Sequence, residues 1–344
     1  MTFRILVTCA GGDLAPQTLR YLSASPRHKV HITAVDNSPS AVGRHFADVF
    51  ETVPRGEEPE YAEQLADIAR RNRVDLVLPC SDEEALAAAT NRALFEASGA
   101  QLACAPIETL QRMANKGAAY AFLESAGLST PTYRCVDATD GVERAVRELL
   151  DERLDVVVKP AMARGGRDVC VIRSDIIGAR PYSGGREVHL DANTFFAEYI
   201  SRYADKLPVL VMERLFEPTY DLDILAWEGE ACRVVPRRRS NPAVPNEGHI
   251  IESRPDLLEL GRRVAAAYNL SWLYDCDLMF DREGRPHILE LNPRPSGSTA
   301  VSIAAGMPLL DDLISLAKGE VLPPAELPAG RLIVPYFALA PVSG

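Results

Sequence analysis

The 344-residue chain has the composition of a globular protein, with 47% hydrophobic and 25% charged residues, and its length predicts two or three packed units rather than one core. Its formal net charge of −11 argues against a nucleic-acid partner, because binding to phosphate backbones needs a basic surface. No apolar stretch approaches the ~18 residues that cross a bilayer, so we expect no membrane partner and a cytoplasmic location.

The first hundred residues alternate strands with helices. The four strand segments in this part are FRILVTCA, KVHITAVD, VFETVP and DLVLPCSD. Strands separated by helices specify a parallel sheet that is covered on both faces and binds ligands at the carboxyl ends of its strands. The pattern therefore predicts a Rossmann-like unit.

The turn after the first strand has some features of a dinucleotide site. It reads CAGGDLAP, and Asp36 ends the second strand. The turn does not fit the GxGxxG pattern, because Gly11 and Gly12 are adjacent and Pro16 lies in the region of the third glycine. These glycines also suit a simple tight turn. A nicotinamide-dependent oxidoreductase thus stays an alternative, although it leaves the later segment ILELNPR unexplained.

Two helices are predicted between residues 105 and 135, and β-rich blocks follow them. The strand DVVVK ends in Lys159, and the next loop contains Gly165 and Gly166, whose backbone amides are suited to closing over phosphates. An ordinary hairpin with a lysine at its strand end is the plainer interpretation. The segment 174–193, rich in Gly, Arg and Ser, is expected to be a surface loop.

The hairpin predicted at residues 277–294 is the most informative element. Alternation along a strand sends Glu290 and Asn292 to one face, and a turn at DREG lets Asp277 lie opposite Glu290. Two carboxylates and an amide oxygen are hard ligands that suit Mg²⁺. Arg294, further along the same face, is suited to neutralising a phosphate or an oxyanion. A merely solvated face would not explain these charges between an apolar strand and a Pro/Gly-rich turn.

The order of these motifs resembles a known family. A helix lysine is followed by a KP strand with a glycine loop, a strand-end glutamate in VMERLF, the acidic strand YDLDIL, and finally CDLMF with ILELNPR. This order resembles the ATP-grasp superfamily, and within it the branch of carbamoyl phosphate synthetase and biotin carboxylase. The resemblance covers nearly the whole chain.

The resemblance implies an α/β and α+β architecture in three parts. Residues 1–105 would form a Rossmann-like pre-ATP-grasp domain. Residues 106–200 would form linker helices and a small lid subdomain, and residues 201–344 a central antiparallel-sheet domain with the Mg²⁺ site.

The resemblance also implies a site for ATP. The nucleotide contacts would be Lys116, Lys159, Gly165, Gly166, Glu213, Leu215 and Asp221. The lysines and glycines would bind the phosphates, the hinge at Glu213 and Leu215 would receive the adenine edge, and Asp221 would meet the ribose.

The remaining implied roles concern the metal and the reaction. The metal ligands would be Asp277, Glu290 and Asn292, holding two Mg²⁺ ions, with Mn²⁺ as the alternative ion. Arg294 would stabilise the transferring phosphoryl group and a later tetrahedral intermediate. Arg237 and Arg239, which alternation places on one strand face, would contact the acyl phosphate or the substrate.

The activity implied by the resemblance is that of an ATP-dependent carboxylate-amine ligase. Its partners would be a small carboxylate and an amine, such as amino acids or small peptides, and its expected assembly is a homodimer. Two alternatives keep the fold. One activates bicarbonate for a carboxyl or carbamoyl transfer, and the other is a sensor that binds nucleotide without turnover.

Overall fold

The computed structural model describes the chain except residues 163–167, 183–186, 243, 245, 246, 337 and 340–344. Within that part, no single helix is long and apolar enough to cross a membrane. One pair of helices, Thr299–Ala305 with Leu309–Ala317, reaches the required length together, but it is bent by 104°.

Five parallel strands form the first sheet, in the order β3-β2-β1-β4-β5. Its strands are β1 (Phe3–Val7), β2 (Val30–Asp36), β3 (Val49–Thr52), β4 (Leu76–Leu78) and β5 (Gln101–Leu102). Its helices are α1 (Ala15–Ser23), α2 (Tyr61–Arg71), α3 (Asp82–Thr90) and α4 (Arg92–Ser98), with a 3₁₀ turn at Val42–Phe46. The parallel pairing confirms the predicted Rossmann-like unit. The strands are apolar and buried on both faces, which favours a parallel sheet.

The glycine turn after β1 is tight. The Gly11 N–H donates to Asp36 Oδ2 at 2.7 Å, and a Cβ on Gly11 would lie 3.0 Å from that oxygen. The Asp36 carboxylate also accepts the N–H of Ser38. Asp36 therefore closes the turn by joining the ends of β1 and β2.

Two helices lead from the first sheet into the rest of the chain, α5 (Ile107–Ala114) and α6 (Lys116–Ser125). The Asn115 side chain caps α6 by accepting the N–H of Ala118 at 3.1 Å. The Lys116 N–H donates to Ala161 O at 3.1 Å, so the start of α6 is tied to the chain just beyond Lys159. This contact brings the two predicted lysines together.

The second sheet is mixed and six-stranded, in the order β6-β11-β7-β8-β10-β9. Its strands are β6 (Tyr133–Val136), β7 (Val156–Pro160), β8 (Val169–Ile172), β9 (Ala179–Tyr182), β10 (Glu187–Leu190) and β11 (Val209–Glu213). Its helices are α7 (Thr139–Asp151) and α8 (Ala192–Thr194), the latter continuing into a π-turn at Phe195–Tyr199 and a 3₁₀ turn at Ile200–Tyr203. The sheet packs around its own apolar cluster, which includes Val146, Val158 and Leu190.

The expectation of a surface loop at 174–193 is wrong in part. The described residues of this segment include β9 and β10, and β10 pairs in parallel with β8. Strand periodicity does not predict β9, because this strand is exposed along its whole length and shows no apolar alternation.

The third sheet is antiparallel, in the order β16-β15-β12-β13-β14-β17. Its strands are β12 (Phe216–Trp227), β13 (Glu230–Arg239), β14 (His249–Ile251), β15 (Trp272–Phe280), β16 (Pro286–Asn292) and β17 (Leu332–Ile333). Its helices are α9 (Pro255–Ala267), α10 (Thr299–Ala305) and α11 (Leu309–Ala317). The predicted central antiparallel sheet and the hairpin β15–β16 are confirmed.

The strand β11 connects the two larger apolar clusters of the fold. Its alternate residues Val209 and Val211 pack in the cluster of the second sheet. Leu210 and Met212 pack in the cluster that the first and third sheets share. Because side chains alternate along a strand, one face of β11 packs in each cluster, and the strand connects two separately packed parts of the fold.

A buried carboxylate links the first unit to the third. Asp312 on α11 is fully buried and accepts Arg27 Nη2 at 2.5 Å and Arg233 Nε at 2.8 Å. Arg27 lies in the first unit, and Arg233 lies on β13. Removal of this carboxylate would leave the partly buried guanidinium groups of Arg27 and Arg233 without this anionic partner.

We therefore expect Asp312→Ala to lower the free energy of unfolding by about 3 kcal/mol, as for a broken buried ion pair. Urea unfolding measures this change. Asp256→Ala, which removes an exposed pair with Arg254, is the matched control and should cost about 1 kcal/mol or less. Equal losses in the two variants would contradict the structural role of Asp312.

Candidate active site

A cavity of about 910 Å³ lies where the three units meet. The first unit contributes residues 80–83, the second sheet contributes one wall, and the hairpin β15–β16 contributes the floor. Ligand sites commonly occur in such crevices between units. Most of the residues predicted to have chemical roles line this cavity.

The hairpin has the register that the sequence predicts. Asp277 pairs with Glu290, and Asp275 pairs with Asn292. The Asn292 amide donates to Asp275 Oδ2 at 2.9 Å, which fixes its orientation and turns its oxygen away from that carboxylate. The predicted metal ligands Asp277, Glu290 and Asn292 all line the cavity.

Two lysines face the hairpin. Lys116 Nζ lies 2.9 Å from Glu290 Oε1. Burial alone would raise the pKa of Glu290, but Lys116 and the more distant Lys159 and Arg294 outweigh it and lower that pKa. Glu290 is therefore ionised at neutral pH.

Lys159 is the more perturbed lysine. Burial lowers its pKa to about 8, and the positive charge of Lys116 adds to the effect, while Glu290 opposes it. Lys159 thus lies next to another cation in a place with little water. Two lysines held in this way are suited to binding a ligand with several negative charges.

Three aspartates cluster on the floor of the cavity. The carboxylates of Asp221, Asp275 and Asp277 each place an oxygen within 4.8 Å of the others. Burial, reinforced by the neighbouring acids, raises the pKa of Asp275 to about 7 and raises the pKa of Asp277 well above its usual range. Asp277 Oδ1 is buried and makes no hydrogen bond to any residue that the structure describes. These oxygen donors fit a hard divalent cation such as Mg²⁺.

Asp221, the predicted ribose contact, lines the cavity and is held by charged partners. It is 2% exposed, accepts Arg239 Nε at 2.9 Å, and lies 2.7 Å from His249 Nε2. Burial would raise its pKa, but Arg239, His249 and Arg237 lower it well below the usual range. A ribose hydroxyl would have to compete with these charged partners for the carboxylate, and the ribose contact stays a prediction.

The two predicted arginines of β13 have different surroundings. Arg239 lines the cavity and donates to Asp277 Oδ2 at 2.9 Å. Arg237 is fully buried, 2.9 Å from Asp223 Oδ2, and donates to Ser298 Oγ at 2.7 Å. Arg237 does not line the cavity, because its guanidinium is buried beneath the cavity floor, and its contact with the substrate stays a prediction.

Arg294 bridges two units. Its Nε donates to Asp82 Oδ1 of α3 at 2.9 Å, and its Nη1 lies 3.5 Å from Asp275 Oδ2. Nη1 also donates to Pro295 O at 3.0 Å. The guanidinium therefore stands at the boundary between the first unit and the floor, with its side chain 21% exposed.

The predicted hinge lies at the apolar end of the cavity. Glu213 Oε1 accepts the N–H of Thr132 at 2.7 Å, which orients the end of β11. Leu215 lines the cavity together with Met212 and Met279. Gly165 and Gly166 lie outside the described residues.

Sequence reasoning missed several residues of the site. Asp275 and Asp223 share strand faces with Asp277 and Asp221, so the alternation in YDCD and YDLD was an available signal. Tyr182 and His189 also line the cavity, with their rings stacked at 4.6 Å. No local pattern pointed to this pair, because β9 and β10 were not anticipated.

Two family models match the chain. Residues 205–334 match the model described as ATP-grasp in the biosynthetic pathway with Ter operon. Residues 5–103 match the PylC-like N-terminal domain. Between them, the matched segments contain the third sheet with its hairpin and almost all of the first sheet.

The fold is shared with solved structures at low sequence identity. The biotin carboxylase domain of Hydrogenobacter thermophilus 2-oxoglutarate carboxylase is 16% identical, with a TM-score of 0.71 over 96% of this chain and 72% of that one. An ADP complex of N5-carboxyaminoimidazole synthetase from Staphylococcus aureus is 14% identical, with a TM-score of 0.70 over 94% and 79%. An L-amino acid ligase from Bacillus licheniformis is 16% identical, with a TM-score of 0.64 over 92% and 74%.

One curated relative is a pyruvate carboxylase of Schizosaccharomyces pombe. It is 20% identical over 346 residues, which include 93% of this chain. The chain spans only 28% of the length of that protein. Likeness at these identities establishes the fold.

The lowered pKa of Lys159 predicts a pH-dependent affinity for anions. A polyanion such as inorganic triphosphate favours the charged lysine, so above about pH 8 binding must be accompanied by proton uptake. We expect the affinity to fall by up to about tenfold per pH unit between pH 8 and the ordinary lysine pKa of about 10.4, with no such effect below pH 8. Isothermal titration calorimetry measures both quantities.

Lys159→Arg is the matched control, because an arginine keeps its charge throughout this range. Its affinity should lack the fall above pH 8. A similar pH dependence in both proteins would mean that another group is responsible.

Proposed function

This chain is an ATP-grasp protein with a PylC-like N-terminal domain, and we propose that it is a ligase that uses ATP to activate a carboxylate as an acyl phosphate and joins the acyl group to an amine. ADP and phosphate are the other products. One observation carries the proposal: Lys116 faces Glu290, and Arg239 faces Asp277, across one cavity. This arrangement places cationic side chains that can bind phosphates close to carboxylates that can bind a metal ion.

The apolar end of the cavity is suited to adenine. Met212, Leu215 and Met279 supply apolar contacts at this end of the cavity. The phosphates then extend towards Lys116 and Lys159. The two lysines offset negative charge that would otherwise repel an incoming carboxylate.

Asp277, Glu290 and Asn292 are the proposed ligands for two Mg²⁺ ions that accompany the nucleotide. Their oxygens and the buried Asp277 Oδ1 form a donor set that fits Mg²⁺. When bound, Mg²⁺ neutralises the terminal phosphates and favours their in-line alignment. Lys116 and Arg239 already hold the two carboxylates in place, so ligand binding needs only a shift in these ion pairs.

The first chemical step forms the acyl phosphate. A carboxylate oxygen of the substrate attacks the γ-phosphorus of ATP, and the bond from that phosphorus to the β-phosphate oxygen breaks to release ADP. Lys159, Arg239 and Arg294 line the region where negative charge gathers. Their fixed positions are suited to stabilising this charge in the transition state.

The second step forms the amide bond. The neutral amine attacks the acyl carbon, and a tetrahedral oxyanion forms that Arg294 is placed to stabilise. The bond from carbon to the phosphate oxygen then breaks, phosphate leaves, and the nitrogen loses its extra proton. An acyl phosphate hydrolyses readily, so the cavity has to be closed to water during both steps.

The second sheet is the proposed lid. It covers one side of the cavity, and its apolar cluster is separate from the one shared by the first and third sheets. The strand β11, which contributes residues to both clusters, is the proposed hinge of this movement. We further propose small-molecule substrates, a homodimer and a cytoplasmic location for the enzyme.

The proposed ligase should release ADP in the presence of Mg²⁺ only when its own acid and amine are supplied. A panel of amino acids, dipeptides and small acids, tested in pairs with and without bicarbonate, identifies them. An ¹⁸O label in the carboxylate should appear in the released phosphate, because one carboxylate oxygen stays on phosphorus when the acyl phosphate breaks down. Glu290→Ala should lower the rate by at least about 10²-fold, as for loss of a charged catalytic contact.

Glu320→Ala removes an exposed glutamate that pairs with Lys318, and it serves as the control with unchanged activity. ADP release that requires bicarbonate would instead favour the carboxylase alternative. Nucleotide binding without ADP release under any condition would overturn the ligase proposal and favour a sensor.

A further inference from the structure

The ion pair between Asp82 and Arg294 joins two units inside the cavity. Asp82 lies in the first turn of α3, and Arg294 follows β16, 212 residues later in the chain. Both side chains line the cavity, and Asp82 is only 6% exposed. A charged pair on the wall of a cavity, rather than in the core between two units, is available to a ligand.

This pair lies at the position where a parallel sheet of this topology binds ligands. The strand order β3-β2-β1-β4-β5 reverses direction between β1 and β4. Ligands bind outside the carboxyl ends of the strands at such a point. Cys80, which follows β4, lines the cavity. The charge of Arg294 acts on both this thiol and that of Cys9, which follows β1.

The charges around the pair are not evenly distributed. The first unit contributes Asp82 and Glu83 to the cavity, and none of its described residues there is basic. The lysines for the phosphates lie elsewhere, facing Glu290. The side of the cavity next to the first unit is therefore acidic in its described residues.

Arg294 retains hydrogen-bonding capacity for an anion. Its Nε and Nη1 are used by Asp82, Asp275 and Pro295, while its Nη2 makes no hydrogen bond within the described part of the chain. A guanidinium donates well to a carboxylate. An anion on Nη2 would thus lie beside the acidic side of the cavity.

We propose that Asp82 and Arg294 together recognise the zwitterion of an α-amino acid, which is the carboxylate substrate. The carboxylate binds Arg294, and the ammonium group binds Asp82. An α-amino acid has its two charges on one carbon, and the protein holds the two complementary charges 2.9 Å apart. This inference rests on the proposed ligase function and adds the substrate class and a specificity-determining residue.

The arrangement also has a chemical consequence. An ammonium group next to a carboxylate keeps its proton, and a protonated amine has no electron pair with which to attack an acyl phosphate. Asp82 would therefore prevent the activated amino acid from acting as its own nucleophile. The amide would form with a second amine, which enters from elsewhere in the cavity.

Trapping with hydroxylamine tests the substrate class without knowledge of the natural amine. Hydroxylamine nitrogen attacks the acyl phosphate, phosphate leaves, and a hydroxamate forms. The panel pairs L-α-amino acids with the same acids lacking the amino group, such as L-alanine with propionate, L-glutamate with glutarate, and L-phenylalanine with 3-phenylpropionate. We expect at least one amino acid to react, with kcat/KM at least about 10²-fold above that of its partner acid.

Asp82→Asn tests the residue. Loss of the carboxylate should raise KM for the amino acid by about 10- to 100-fold and leave KM for ATP unchanged, while Asp82→Glu should recover part of the affinity. Asp67→Asn, which removes an exposed carboxylate paired with Arg70 and Arg71, is the matched control for the loss of an ion-paired aspartate. Circular dichroism melting checks that each variant is folded.

The outcomes separate this inference from the proposed function. Hydroxamate from the acids without an amino group at rates equal to the amino acids, or an unchanged KM in Asp82→Asn, would overturn the zwitterion site and leave the ligase intact. An absence of both ADP and hydroxamate with every acid would overturn the ligase and the inference with it.

Discussion

The pairing of buried charges on one face of the third sheet is the constraint on which the rest of the site depends. Arg237 is fully buried and is held by Asp223, with Asp221 and Asp275 also within 4.0 Å. An unpaired buried charge is very costly, so these strands can adopt only a register that brings the charges together. The strand β15, which carries Asp275, pairs on its other side with β16, and this pairing places Asp277 opposite Glu290 on the cavity floor.

The paired charges explain how so many ionisable groups fit in one small space. Each carboxylate of the floor lies near a guanidinium or an ammonium group, and burial keeps the pKa values of Asp275 and Asp277 raised. The net charge of the floor is therefore smaller than its composition suggests. When a charged ligand binds, it can replace one partner of an internal ion pair, so that no buried charge loses its counter-charge.

The division of the apolar core has a complementary effect. The first and third sheets share one cluster, and the buried Asp312 joins them further through Arg27 and Arg233. The second sheet has its own cluster, and β11 contributes residues to both clusters. One wall of the cavity is thus held rigidly against the floor, while another is packed separately. A reaction with a water-sensitive intermediate requires such an arrangement, because one wall has to move to close the cavity while the others keep the site in place.

Local pattern alone was enough to predict the parallel first sheet, the hairpin β15–β16 and the face shared by Glu290 and Asn292, because strand alternation and turn residues act over a few positions. Only the tertiary structure decided what those side chains face. Arg237 and Arg239 are two residues apart, yet Arg237 is buried beneath the cavity floor and Arg239 lines the cavity. Arg237 is buried because Ser298, at the start of α10, and Asp223 on β12 pack against its guanidinium. The contact of Asp82 with Arg294 spans 212 residues, and no local rule relates positions so far apart.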